Sequence, residues 1–495
     1  MRPSFIQFTL LCVLAPGLGL ATPVWTDASK AQALINAVIT NTGDAQDTVG
    51  QLADIFQLDP TATASPAVQR PDFANGPEGK LISADLQLAM TQLSIHIGSN
   101  NQIRVVRAQG DQRDALVLQS GYTSLRDLAK TAKVQGIDGL RMEDGIVHLT
   151  RPLVVWLGAG LKLEPGDRLL MDAARGAFLL GFGQIEMVGA DVQATRAGSG
   201  PAEFRPFVLI TGQGTLFAQS TKFTGLGMVG ADPFGGVVVA ARGLFPPKFP
   251  PILIGNTFED VGVVSLVGVN GGVVDGNLVN AGRGNGIALT AVQGVQVTGN
   301  AVINTVGGAG VKVANGSDVL LTDNLISGGA HNGISIGGNS RGIRITGNAV
   351  LKNAETGIAT QRATCILVEG NSIAQNGASG LRLNESGVSR VQGNALVLNT
   401  NSGLNVGAQR KGGRVEVAEN LLAGNRVGLS GAAIGEVVLD QNNLSSQMPR
   451  LFDGEFSQYL AAYLTQVQQR SDKTYRIVGP AGQQAGPFLT ACSKG

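Results

Sequence analysis

The sequence predicts an all-β chain whose main body is a parallel β-helix, a solenoid with coils of about 23 residues. Three observations carry that expectation. Asparagines recur at Asn256, Asn277, Asn300, Asn324, Asn348, Asn371, Asn394, Asn420 and Asn442, at intervals of 21, 23, 24, 24, 23, 23, 26 and 22 residues. Each lies between short apolar runs, as in Val295-Gln296-Val297-Thr298-Gly299-Asn300-Ala301-Val302-Ile303. The turns draw on 70 glycines, the residue that closes tight corners at least steric cost. A unit this short cannot bury its apolar side alone, so it must stack on copies of itself.

Residues 1–21 read as a secretory signal. Arg2 gives a thin positive start, Phe5 to Leu14 an apolar stretch, and Gly19-Leu20-Ala21 a small-residue cleavage site. The apolar stretch is too short to span a bilayer and no later one qualifies, so a soluble, exported, periplasmic protein is expected. Residues 22–118 form an N-terminal helical and mixed region. Over 27–57, Ala33, Leu34, Ala37 and Val38, then Val49, Leu52, Ala53 and Ile55, fall at helical spacing. Residues 59–79, rich in Pro, Ala, Thr and Gly, read as a linker or an extended wrapping segment. Short strands are expected at Leu81 to Leu88, Ile103 to Val106 and Leu116 to Leu118.

Residues 119–450 are the expected β-helix. Near its start Ser124 caps a short helix through Lys133, with Leu125, Leu128 and Ala129 on the buried side. Ile146 to Leu149, Leu153 to Trp156, Leu169 to Met171 and Phe178 to Leu180 make the first, irregular coils. In the regular coils, period-two alternation turns Ile287, Val311, Ile334, Ile358, Leu381 and Leu404 inward. Ala288, Lys312, Ser335, Ala359, Arg382 and Asn405 then face outward, followed by Thr290, Ala314, Gly337, Gln361 and Asn384. The repeated asparagines are expected to form an internal ladder, each amide bonding the corner backbone above and below. Residues 451–495 are a helix and tail. Phe456 to Gln469, with Tyr459, Leu460, Tyr463, Leu464 and Val467 on one side, would cover the open end of the stack. A net charge of +1 gives no electrostatic footprint for nucleic acid. Cys365 and Cys492 remain after cleavage, and their pairing stays open.

Several stretches resemble the periplasmic mannuronan C5-epimerases of bacterial alginate export. They are Gly121-Tyr122-Thr123-Ser124-Leu125-Arg126-Asp127-Leu128, Gly176-Ala177-Phe178-Leu179-Leu180 and Phe204-Arg205-Pro206-Phe207-Val208-Leu209, then Gly225-Leu226-Gly227 and Gly255-Asn256-Thr257-Phe258-Glu259-Asp260. Asn384-Glu385-Ser386-Gly387, Gly393-Asn394 and the tail from Phe452 to Val478-Gly479-Pro480 extend the likeness, which runs from about residue 120 to 480. The resemblance implies a right-handed parallel β-helix holding an acidic exopolysaccharide (a uronan) in its groove, with periplasmic polymer-export or acetylation proteins as partners. That family carries Gly-Ile-Asp-Pro-His-Asp on one outward strand and a basic residue a coil later. Here the matching positions read Gly286-Ile287-Ala288-Leu289-Thr290-Ala291 and Gly307-Gly308-Ala309-Gly310-Val311-Lys312, so no catalytic role is carried onto Ala288 or Thr290.

Epimerisation removes a proton beside a carboxylate and returns one on the opposite side. It needs a cation, a base and a proton donor, and each acid–base group is worth about 10²–10⁴-fold in rate. His331, just before outward Ser335, is the candidate base. Lys312, Arg362 and Arg382 are candidates for pairing with uronate carboxylates, with Ser335, Asn384 and Asn405 as polar groove residues. Glu355 and Glu385 show no evident partner in the sequence. The outward positions hold no carboxylate cluster for calcium, and neither metal nor cofactor is expected. The expected function is therefore binding or guiding a uronan, with weak or no epimerase activity. An active C5-epimerase or lyase with relocated residues is the alternative, and an envelope β-helix that meets no sugar is a third.

Overall fold

The computed structural model describes residues 76–97, 101–111, 113–195, 204–241, 246–444, 446–469, 474–479 and 486–492. The expected signal peptide, the helical spacing read over 27–57 and most of the expected linker at 59–79 lie outside them.

Each coil contributes one strand to each of three faces. On the first face lie Ile287–Thr290, Val311–Ala314 and Ile334–Gly337, on the second Gln296–Thr298 and Leu320–Thr322, on the third Ala301–Ile303 and Leu325–Ser327. Thirteen strands pair on the third face, and all but the first, Leu140–Glu143, are parallel, so the solenoid makes twelve turns. The strand Asp114–Ser124 opens the stack and runs across the expected boundary at 118/119. Register is strict: Ile287, Val311, Ile334, Ile358, Leu381 and Leu404 follow one another in consecutive coils, and none is more than 1% exposed. Each such aliphatic contributes roughly 1.5–3 kcal/mol by leaving water.

The asparagine ladder forms as expected, between the second and third faces. Asn348 Oδ1 accepts from both the backbone N–H and the side-chain amide of Asn324, at 2.9 Å each, while its own Nδ2 donates to Asn371 and to Leu321 O. The same bonds repeat from Asn256 to Asn442. Stacked amides thus satisfy corner backbone groups that burial would otherwise leave unpaired. A second ladder, absent from the sequence reading, runs through Asn353, Asn376, Asn399, Asn425 and Gln447 at the corner between the third and first faces.

Between Leu81 and Leu118 the expected strand at Leu116 to Leu118 is present within Asp114–Ser124, and the other two expected strands are corrected. Lys80–Asp85 is a strand, but Leu86–His96 (α1) and Gln102–Arg107 (α2) are helices. Asp85 starts α1 by accepting from the Gln87 N–H, and Leu86, Ala89, Met90 and Leu93 form its buried side at helical spacing. That side packs on outward residues of the first face, among them Val117, Val154, Leu180, Leu209 and Val238, with Phe178, Phe207 and Phe234 filling the interface. The first five strands of the first face are therefore covered. The helix capped by Ser124 is present as Leu125–Gln135 (α3), ending at Gly136 in the left-handed conformation.

At the other end, Glu455–Tyr459 is a tight 3-10 turn leading into Leu460–Gln469 (α4), where a single helix from Phe456 was expected. Phe456 and Tyr463 bury against the last coil beside Phe452, whereas Leu464 is exposed. Thr474–Val478 then adds antiparallel to the second face, and Phe488–Cys492 (α5) is tied back by a Cys365–Cys492 disulfide that closes the pairing left open by sequence.

Candidate functional site

Downstream of the covered strands, the first face lies open as a shallow trough. One outward column runs, coil by coil, through Ser265, Ala288, Lys312, Ser335, Ala359, Arg382, Asn405, Ser430 and Asp453. Alternation fixes this order, because a one-residue slip would turn the aliphatic column into water. Lys312 and Arg382 are exposed, Ser335 and Asn405 half-buried, Ala288 and Ala359 buried. Three coil steps separate the two cations, roughly 14 Å. In the coils that follow Arg382 the trough deepens into a depression of about 460 Å³ lined by Asn384, Asn405, Ser430 and Asp453. Asn405 donates to the Ser430 hydroxyl at 2.7 Å, and Asp453 is held by Arg450 at 2.8 Å.

Strand and bend place the other candidates differently. Asn384 ends its strand in register with Gln361 and Gly407, beside the Arg382 column. Arg362 is not on a strand; it occupies the bend that leaves the first face, with φ of 54°, and Glu385 takes the same bend one coil later with φ of 47°. Along this margin the loop at 408–413 leans back across the coils, its Arg410 donating to Asn339 at 3.2 Å.

His331 lies on the opposite margin, three residues before inward Ile334, and Glu355 takes the equivalent place one coil on. Its Nδ1 stands 3.0 Å from Glu355 Oε1, with both side chains nearly half exposed. Glu355, for which the sequence offered no partner, thus has one. The structure groups Arg382, Asn384 and Asn405, places Lys312 and Ser335 farther along the same column, and sets His331 and Arg362 on the two rims.

At the covered end a charged group escaped the sequence reading. Asp260 bridges Arg205 and Arg283, at 2.9 Å each, and Arg283 also donates to the Leu226 and Gly227 carbonyls. Burial, and then the neighbouring Arg205 charge, lower the Arg283 pKa, while Asp260 opposes them. These arginines are committed to Asp260 and to backbone, so they brace the trough's closed end.

The comparisons with known proteins follow this geometry. Residues 253–447 match the family model described as periplasmic copper-binding protein (NosD). The donor set does not suit copper, which takes imidazole, thiolate or thioether ligands. Cys365 is oxidised in a disulfide, and among the described residues no three His, Cys, Asp or Glu side chains group together. A mannuronan C5-epimerase of Pseudomonas aeruginosa is 26% identical over 146 residues, 28% of this chain and 26% of that protein. One of Pseudomonas syringae pv. tomato is 27% identical over 173 residues, 33% of this chain and 32% of that protein. The chain thus spans about a quarter to a third of the curated relatives it matches. The crystal structure of the periplasmic alginate epimerase AlgG superposes with a TM-score of 0.63 at 19% identity, covering 79% of this chain and 98% of that one. With the strand order and ladder, these similarities make the chain a parallel β-helix protein related to the mannuronan C5-epimerases.

Proposed function

We propose that the protein is a periplasmic β-helix that holds or guides an acidic exopolysaccharide along the open trough, with weak or no C5-epimerase activity. The observation that carries this reading is the outward column, where Lys312 and Arg382 stand exposed among Ala, Ser and Asn. Stacked coils about 4.8 Å apart put successive side chains at close to the repeat of an extended sugar polymer. Cations in such a column suit regularly spaced carboxylates, and the small neighbours leave room for sugar rings. Weak activity follows from chemistry. The column offers one carboxylate, Asp453, and neither imidazole nor phenol, so the acid–base pair that lowers the barrier is missing from it. The Cys365–Cys492 disulfide suits an oxidising compartment, and no helix among the described residues is long and apolar enough to cross a membrane. Protein partners would be periplasmic polymer-export or acetylation components.

Retention on immobilised polymannuronate tests binding. A Lys312→Ala/Arg382→Ala double variant should bind about tenfold more weakly, since two exposed ion pairs contribute up to about 1 kcal/mol each. Unchanged retention would remove this face from the account. No retention of the wild type would favour an envelope protein that meets no sugar. Deuterium uptake at C5 in D₂O tests activity, and the expected result is no exchange above background.

A second reading rests on the 3.0 Å His331–Glu355 pair. A carboxylate beside an imidazole fixes the orientation of the ring, so His331 would be the base of a relocated epimerase or lyase site, with Lys312 or Arg382 as clamp. Clear C5 exchange that disappears in His331→Ala would establish this reading in place of the first.

A further inference from the structure

The outward column of the trough is itself a repeat, with a longer period than the coil. Taken in threes it reads Ser265, Ala288 and Lys312, then Ser335, Ala359 and Arg382. Each set carries a hydroxyl, a methyl and a cation, in that order. The third set, Asn405, Ser430 and Asp453, again runs polar, small and charged, with the sign of the charge reversed. Stacking does not impose this, because a solenoid asks only that inward side chains match from coil to coil. The outward pattern is free to vary, and here it returns every three coils, roughly 14 Å.

The neighbouring outward column keeps the same period. Thr290, Ala314, Gln361 and Asn384 give it side chains, whereas Gly337 and Gly407 leave it bare, each one coil after a cation. Backbone shape requires glycine at neither place, since both lie in strands without a positive φ. Among the described residues, a Cβ on Gly337 would meet nothing nearer than Gln361 O, at 3.8 Å, and one on Gly407 would touch the movable Asn384 Oδ1 at 3.3 Å. The fold itself leaves the space above these glycines open. A strand glycine that its own chain does not demand marks a close approach from outside.

Cation and glycine together make one seat: the charge takes a carboxylate, and the bare backbone one coil on takes the ring of a sugar. Two such seats stand three coil steps apart. A ribbon with two sugar units per turn would face every second carboxylate to the trough, and two steps from Lys312 lies Ala359. A chain with three units per turn faces every third, and three steps from Lys312 lies Arg382.

We propose that the trough binds uronan coiled at three units per turn, reading every third carboxylate through Lys312 with Gly337 and Arg382 with Gly407. The inference rests on the polysaccharide-holding reading above and deepens it. Carboxylates between the two seats then point aside or to solvent, over the coils of Ser335 and Ala359, which carry no charge in the column. Asp453 repels a third carboxylate, so the ionic register is complete with four sugar units.

Titration with oligomannuronates of two to six units tests this. Affinity should rise most from three to four units, by about threefold beyond the change at neighbouring lengths, because the fourth unit brings a carboxylate to the second seat. Combining Lys312→Ser with Ser335→Lys keeps the net charge, brings the cations to two coil steps, and should abolish the step at four. Gly337→Thr, with the side chain that Thr290 already carries at that position, should weaken tetramer binding about threefold without lowering the unfolding midpoint. An even rise with length in the wild type, a step that stays at four after the exchange, or full binding by Gly337→Thr would overturn the register and leave uronan binding in place. No binding of wild type at any length would overturn the polysaccharide reading itself, and the register with it.

Discussion

Asn348 shows what a single side chain does in this stack. Its carbonyl oxygen accepts two bonds from the coil before, and its amide reaches Leu321 O, Thr346 O and Asn371. Replacement by alanine leaves the buried Asn324 N–H without its partner and takes one bond each from the Asn324 amide, Leu321 O, Thr346 O and Asn371 Oδ1. Asn348→Ala should therefore cost about 3 kcal/mol or more in chemical denaturation, whereas Asn442→Ala, at the half-buried end of the ladder, should cost about 1 kcal/mol. The ladder was legible because one residue type returned once per coil. The second ladder was visible too, as Asn-x₄-Asn pairs such as Asn348/Asn353 and Asn371/Asn376, but it starts midway and ends in Gln447, so no unbroken series announced it. His331 and Glu355 sit 24 residues apart, one coil length, and that spacing predicts stacking for residues on bends as well as on strands. Reading only outward strand positions missed it.

Among the elements, the alternation of the regular strands fixed both their inward side and their register. The segment from Leu86 to Arg107 misled because its apolar residues come in short runs. Yet Leu86, Ala89, Met90 and Leu93 at helical spacing after a capping Asp85 carried the correct signal for α1. Short α2 buries Val105 and follows from packing on the first face, which local sequence does not encode. Spacing could not reveal the disulfide, since its two cysteines are 127 residues apart and meet only once the tail folds back. Helix α5 leans on the second face through that bond and one hydrogen bond from the Phe488 N–H to Glu416. Cys492→Ser should expose Phe488 to chymotrypsin, yet shift the unfolding midpoint of the solenoid by no more than about 1 °C, because the helix buries little surface.

For the whole molecule, repetition made the architecture readable, and breaks in repetition hid the rest: how far α1 covers the first face, and where the bends put Arg362 and His331. The open column from Ser265 to Asp453 spans eight coil steps, about 38 Å. If the trough binds uronan, affinity should climb with oligomer length to about eight sugar units and then level off, as isothermal titration with sized oligomers would show. A continued climb at twice that length would mean contacts beyond the trough. Another consequence follows from strand direction at the ends. Lys80–Asp85 and Leu140–Glu143 run against the parallel stack at its start, and Thr474–Val478 runs against it at its finish. A coil arriving from a second molecule would meet edges whose hydrogen-bonding pattern is reversed, and at the far end it would also meet α4. Twelve turns of self-complementary ribbon, capable in principle of growing without limit, are thereby kept from seeding a fibre.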